Sequence, residues 1–267
     1  VPELSFSVPG GMEFSVEPPE SPAVPRDAAT VILLRDTERG LEVFLQRRVA
    51  AMAFAAGMTV FPGGGVDKRD ADASVAWAGP PAVDWADWFN STESVARALV
   101  CAAVRETFEE SGVLLAGTSD AVVADAAKFS GAREQLVSRE LSLADFLAHN
   151  DLTLRADLLR PWAHWITPTQ EKRRYDTRFF AAALPEGQHA DGATTEAESS
   201  GWQLPSEALA DAEAGRSTLM PPTWHTLTEL AGFETTAEAL ASERKVEAII
   251  PTLRREGDKV RVIVGDE

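Results

Sequence analysis

A single cysteine, Cys101, stands among the 267 residues. It excludes an intramolecular disulfide and any cage of thiolates around zinc, and it fits a reducing compartment. Long apolar runs are missing as well: nowhere do 18 consecutive apolar residues occur, so no segment reads as a membrane-spanning helix. The opening Val1-Pro2-Glu3-Leu4 has neither the basic nor the apolar stretch of a secretory leader. Positive charge is in short supply, because 25 Lys and Arg face 42 Asp and Glu and leave a net charge of −17. That balance argues against a nucleic-acid partner, whose phosphates are held by clustered cations. The four histidines, His149, His164, His189 and His225, are scattered without metal-ligand spacing. No G-x-S-x-G elbow and no phosphate-binding G-x-x-x-x-G-K-[ST] loop is present. These absences lead to the expectation of a soluble, cytoplasmic protein, and 45% apolar residues are ample for a packed core.

The chain that remains alternates β and α patterns. Residues 1–27 are proline-rich and read as an extended arm; residues 28–267 read as one α/β domain with insertions at about 66–90 and 117–157. Ala28 to Arg35 and Leu41 to Arg48 are β-rich runs around a turn at Asp36 to Gly40, and Thr59 to Phe61 supplies another strand. The first insertion holds Trp77, Trp85 and Trp88 on a polar segment, which suggests that it packs over a site or a partner. Asn90 and Glu93 look like a capping pair for a helix that runs from Thr92 to Ser111 and stops at Gly112. A second insertion, Asp120 to about Asn150, has helical periodicity with Ser142 as a cap. Leu158 to Ile166 and Thr177 to Leu184 return to β. Ser206 to Ala214 and Pro222 to Ala231 are short helices, and a hairpin around Glu256-Gly257-Asp258 ends the chain.

The chemistry concentrates in Arg105-Glu106-Thr107-Phe108-Glu109-Glu110-Ser111-Gly112-Val113. Glu106, Glu109 and Glu110 are spaced i, i+3 and i+4, so their side chains should converge on one helix face. Such a patch repels itself unless a hard divalent cation sits among the carboxylates, and Mg²⁺ prefers oxygen ligands and brings phosphates with it. Upstream, Val60-Phe61-Pro62-Gly63-Gly64-Gly65 reads as a strand running into a turn where glycine permits close approach. Arg47, Arg48, Arg173, Arg174 and Arg178 are candidates for a bidentate phosphate clamp.

Together the two stretches resemble the Nudix hydrolase box, G-x5-E-x7-R-E-U-x-E-E-x-G-U with U aliphatic. Gly64 matches its first glycine, and Arg105, Glu106, Glu109, Glu110, Gly112 and Val113 match its second half. An uninterrupted box ending at Val113 would begin at residue 91, so about 27 residues are inserted. The position eight before Arg105, a supporting glutamate in the family, is Arg97, which puts that support in doubt. Thr107 takes an aliphatic slot.

A box split here is similar to that of the animal coenzyme A diphosphatases. The resemblance extends to Phe44-Leu45-Gln46-Arg47-Arg48, Ala53-Phe54-Ala55-Ala56-Gly57, Trp165-Ile166-Thr167-Pro168 and Arg173 to Phe180.

The resemblance implies an α/β/α sandwich that hydrolyses a nucleoside diphosphate linked to another moiety, most readily coenzyme A or an acyl derivative, with Mg²⁺ or Mn²⁺. It implies metal ligands at Glu106, Glu109, Glu110 and the Gly63 carbonyl, with Arg105 holding the glutamates. The base would be Glu110 or a glutamate in the loop before Trp202, with Glu198 preferred to Glu196. Arg47, Arg48, Gly64 and Arg178 would contact substrate. A homodimer is common for such a fold. ADP-ribose or NADH is the alternative substrate; a nucleotide sensor without catalysis is the alternative of another kind.

Overall fold

The computed structural model of the protein describes residues 4–7, 17–50, 55–256 and 259–264. Ala53 and Phe54, residues 1–3 and 8–16 of the expected arm and the Gly257-Asp258 turn lie outside the described residues. In chain order the strands are β1 (Leu4–Ser7), β2 (Arg26–Thr37), β3 (Gly40–Arg48), β4 (Thr59–Val60), β5 (Gly63–Gly65), β6 (Trp77–Ala78), β7 (Ala116–Gly117), β8 (Thr153–Arg155), β9 (Arg160–Ile166), β10 (Tyr175–Ala183), β11 (Ala197–Gln203), β12 (Ala248–Ile249), β13 (Thr252–Glu256) and β14 (Lys259–Val264). The helices are α1 (Ala82–Trp88), α2 (Glu93–Ser111), α3 (Ser130–Val137), α4 (Leu143–His149), α5 (Pro205–Glu213), α6 (Pro221–Leu230) and α7 (Thr236–Ala241).

The main sheet runs β11-β3-β2-β10-β9-β12 and is mixed: β2 pairs β10 in parallel and β3 antiparallel. Strand pleating sends successive side chains to opposite faces. Val31 and Leu33 of β2 accordingly join one core with Phe44 and Phe180, whereas Ile32 and Leu34 join another with Val43, Leu45 and Phe179. The first core takes in α1 to α4, through residues such as Trp85, Leu99, Leu136 and Phe146. The second takes in α5 to α7, through Ala208, Leu227 and Ala239. Helices therefore cover both faces of the sheet, which is the expected α/β/α sandwich.

The hairpin splays. β3 pairs with β2 only from Leu34 to Thr37; beyond that β2 takes β5 as its neighbour and β3 takes β4. This divergence opens a cleft at one end of the sheet. β1, β14 and β13 form a separate sheet beside it, with Leu253 and Val262 among the residues that line the cleft.

The three tryptophans of the insertion between β5 and α2 do not line the cleft, although Val66 to Arg69 at its start do. Trp85 is fully buried, stacked on Phe89 and tilted against Phe180 beneath α2. The Trp77 indole donates to the Pro80 carbonyl at 2.7 Å, while Trp88 is 40% exposed. The small sheet β6-β8-β7 ties this insertion to the second one. No described helix is long and apolar enough to cross a membrane.

Candidate active site

Helix α2 starts at Thr92, whose hydroxyl accepts from the Val95 amide; Asn90, the expected cap, sits outside the helix with φ +47°. The helix ends at Gly112, which adopts φ +73°, a left-handed conformation that glycine reaches without Cβ strain. Between these ends the helix is buried on most sides, Cys101 included, and burial pushes the Cys101 thiol up to about 12. That thiol packs the core and is no nucleophile at neutral pH.

The remaining side of α2 faces the glycine strand β5. A Cβ at Gly64 would lie 2.6 Å from the Glu106 carboxylate, and one at Gly63 would lie 2.5 Å from the Ala29 carbonyl oxygen. Only a residue without a side chain lets helix and strand approach so closely. The Gly63 amide donates to Glu110 Oε2 at 2.8 Å, and the Gln46 side-chain amide from β3 donates to the same oxygen. Glu110 is thus fixed by two donors on one oxygen.

Arg105 is the hub. Its guanidinium donates to Glu106 Oε1 at 2.8 Å, to Glu109 Oε2 at 3.2 Å and to the Gly65 carbonyl at 3.0 Å. Nε and the second terminal nitrogen form a fork onto Asp70, both bonds 2.9 Å long. Asp70 is 2% exposed and sits in a turn of 3-10 helix, Lys68–Ala71, where it also accepts from the Asp67 amide at 2.7 Å.

Asp70 corrects the reading of Arg97. Counted forward from Gly64, the G-x5 spacing lands on Asp70, so the box is interrupted after this acidic position rather than before it. Arg97 instead lays its guanidinium over Trp77, 5.0 Å from the ring centroid. Aspartate takes the supporting role expected of the missing glutamate. Counting from Gly64 rather than back from Arg105 finds it.

The three helix glutamates do not converge on one point as the spacing suggests. Glu106 and Glu109 turn to Arg105 and Glu110 turns to Gly63, and among the described residues no group of three acidic, histidine or cysteine side chains is gathered tightly enough to hold a cation. The donors nevertheless suit a hard cation. Glu109 Oε1 is buried without a hydrogen-bond partner, an arrangement that costs free energy unless positive charge reaches it. Burial raises the pKa of all three: Glu106 to about 7 and Glu110 to about 8, Glu109 upward as well, with Arg105 opposing the shift in Glu106 and Glu109. Burial alone would lower Arg105, but Asp70, Glu106 and Glu109 hold it charged.

These residues form one wall of a cavity of about 1020 Å³. Gly63, Gly64, Gly65, Arg48, Glu106, Glu109, Glu110 and Glu196 line it, as do apolar residues including Met58, Phe61, Trp165, Phe179 and Met220.

Three expected site residues are not brought to the cavity. Arg47 and Glu198 pair with each other at 3.8 Å on the exposed side of β3 and β11, whereas their neighbours Arg48 and Glu196 pair at 3.0 Å inside. Alternation along β3 puts Arg47 opposite Gln46 and Arg48, and an irregularity between Ala197 and Ser199 leaves Glu198 outside. Arg178 is buried in ion pairs with Asp27 at 2.9 Å and Asp176 at 2.7 Å; its neighbours Thr177 and Phe179 line the cavity instead. Arg174 donates to the Thr167 and Ala23 carbonyls and ties down the chain before β2, while Arg173 is exposed. Asp70 and Gln46 are the contacts that sequence reading missed.

A glycine strand laid against a glutamate-bearing helix, inside an α/β/α sandwich, defines the Nudix hydrolase class. The chain belongs to this family: residues 92–230, just over half of it, match the family described as the NUDT19 Nudix domain. It is 32% identical over 206 residues to the putative nudix hydrolase 7 of Caenorhabditis elegans, an alignment covering 77% of this chain and 60% of that protein. It is 28% identical over 149 residues to the acyl-coenzyme A diphosphatase NUDT19 of Xenopus laevis, covering 50% of this chain and 39% of that protein. The Homo sapiens protein of the same name is 30% identical over 146 residues, again covering 39% of its length. The chain therefore spans between about two-fifths and three-fifths of these relatives. The fold is also that of a Nudix hydrolase from Alicyclobacillus acidocaldarius, with a TM-score of 0.66 at 24% identity over 83% of this chain and 98% of that one.

Proposed function

We propose that this chain hydrolyses the diphosphate of coenzyme A or an acyl-coenzyme A, giving 4′-phosphopantetheine or its acyl form and adenosine 3′,5′-bisphosphate. The observation that carries the reading is the Arg105-held glutamate set facing Gly63 and Gly64 across a cavity roomy enough for a large nucleotide. The substrate follows from likeness to the two vertebrate acyl-coenzyme A diphosphatases.

Glu106, Glu109 and Glu110, together with the Gly63 carbonyl, would hold Mg²⁺ or Mn²⁺, which when bound neutralises the diphosphate and makes a water more acidic. Arg105 keeps Glu106 and Glu109 in place, and Asp70 keeps Arg105 in place. Gly63 and Gln46 occupy one oxygen of Glu110 and leave the other to take the proton from the attacking water. Glu196, tethered by Arg48 at the cavity wall, is the second group able to accept it. The water oxygen bonds to one phosphorus as the anhydride P–O bond breaks, and the departing phosphate carries away the electron pair. The protein acts in the cytoplasm on a small-molecule substrate, alone or as a homodimer, without nucleic acid.

A screen of coenzyme A, acetyl-coenzyme A, ADP-ribose and NADH with Mg²⁺ or Mn²⁺, with products identified by mass, tests the reading. Coenzyme A or its thioester should be cleaved best. Preference for ADP-ribose or NADH by tenfold or more would overturn the substrate.

A further inference from the structure

The cations expected to meet substrate are already engaged: Arg47 by Glu198, Arg48 by Glu196 and Arg178 by two aspartates. Three others line the same cavity and make no ion pair or side-chain hydrogen bond among the described residues: Arg26, Lys68 and Arg139. All three are exposed. In a chain of net charge −17 most described arginines have a carboxylate partner, so three free, exposed cations lining one cavity mark a place where an anion completes them.

The backbone brings them together from three parts of the sequence. Lys68 lies in the turn that carries Asp70. Its neighbour Arg69 donates to the Arg139 carbonyl at 3.0 Å and the Leu141 carbonyl at 3.4 Å, which fastens the second insertion to the first. Arg69 itself is spent on this strut and on Asp67. Arg139 holds a left-handed backbone at φ +63° at the end of α3, and its charge is felt by Glu109. Arg26 opens β2, and the next residue, Asp27, accepts from the Val66 amide at 2.9 Å, two residues before Lys68. The arc thus borders the glutamate helix without belonging to it.

We infer that Arg26, Lys68 and Arg139 form a subsite for a phosphomonoester carried on the nucleoside side of the substrate, the 3′-phosphate of coenzyme A under the reading above, on which this inference rests. A diphosphate engages the carboxylate wall through a cation, whereas a dianionic monoester needs donors of its own, and two or three converging cations supply charge-assisted bonds. Both insertions contribute to the arc, which gives the first of them a role at the cavity edge although its Trp85 is in the core.

The test compares kcat/KM for coenzyme A and dephospho-coenzyme A in the native protein, Lys68→Ala, Arg139→Ala, the pair combined, and Arg139→Lys. Calorimetric titration with adenosine 3′,5′-bisphosphate, AMP and inorganic phosphate reads binding without turnover. The inference predicts that the native preference for coenzyme A shrinks about tenfold or more in Arg139→Ala and further in the pair, while Arg139→Lys keeps most of it. It also predicts that the bisphosphate binds more tightly than AMP or phosphate and loses that advantage in the same variants. If the native protein discriminates and the variants keep its ratio and its bisphosphate affinity, the arc is overturned and the coenzyme A reading stands. If the native protein cleaves neither compound, both fall.

Discussion

Asp70 and Arg105, 35 positions apart in sequence, meet in a two-bonded fork with both contacts at 2.9 Å, and this pair joins the two halves of an interrupted motif. Both are buried, so neither has water to fall back on. Removing Asp70 strips the buried guanidinium of its fork and leaves it to Glu106, Glu109 and the Gly65 carbonyl, at a cost of about 1.5–3 kcal/mol. Asp70→Ala should lower unfolding stability by that order in urea titration, and Asp70→Glu should recover part of it. A loss under about 1 kcal/mol would show that the fork is dispensable.

Gly64→Ala tests the close approach of strand and helix. The added Cβ would stand 2.6 Å from the Glu106 carboxylate, so the carboxylate has to move. A displacement of about an ångström at a reacting centre costs about a hundredfold. Steady-state turnover should fall by that order with little change in melting temperature; turnover near native would mean that Glu106 has room to spare.

Trp85→Ala bears on the first insertion. An indole that is fully buried against Phe89 and Phe180 should cost about 3–5 kcal/mol when truncated, as core aromatics do. Urea unfolding that leaves stability unchanged would place the insertion outside the folded core.

Part of this architecture was legible in sequence because local signals carry it: the β2–β3 turn and the helix ending at Gly112 fall where turn chemistry and periodicity put them, and the strands Thr252–Glu256 and Lys259–Val264 pair antiparallel, although the first begins later than the run expected from Glu247. Ser142 does cap α4 as expected. What was not legible depends on which way a strand faces. Arg47 and Arg48 are adjacent and chemically alike, and only the register of β3 with β11, including an irregularity beside Glu198, sends one inward and one outward. Nor does sequence reveal that Arg178 meets Asp27 across paired strands. Asp70 was legible, but only by counting from the glycine.

The buried carboxylates make stability depend on pH and on metal. Glu106 and Glu110 ionise at about 7 and about 8 in the folded chain against an ordinary 4.5, because burial disfavours their charged forms. A carboxyl whose folded pKa is raised favours folding while protonated, and that contribution is lost as pH rises from 4.5 through the folded values. Chelator-treated protein should therefore lose on the order of a few kcal/mol between about pH 5 and pH 8.5. Mg²⁺ or Mn²⁺, which takes the ionised form, should raise the melting temperature more at the upper end. Thermal melts showing a metal effect that is equal or larger at about pH 5 would contradict this.

The most direct measurement is the turnover of coenzyme A with saturating Mg²⁺ by the native protein, Glu109→Gln and Glu110→Gln, each checked for native melting behaviour. Each substitution replaces a carboxylate oxygen with an amide while keeping its shape, so the fold is retained and the chemistry is removed. The native protein should release 4′-phosphopantetheine, and turnover should fall by at least about a hundredfold in both variants. Near-native turnover in either variant would contradict the assignment of the glutamate helix as the reacting centre.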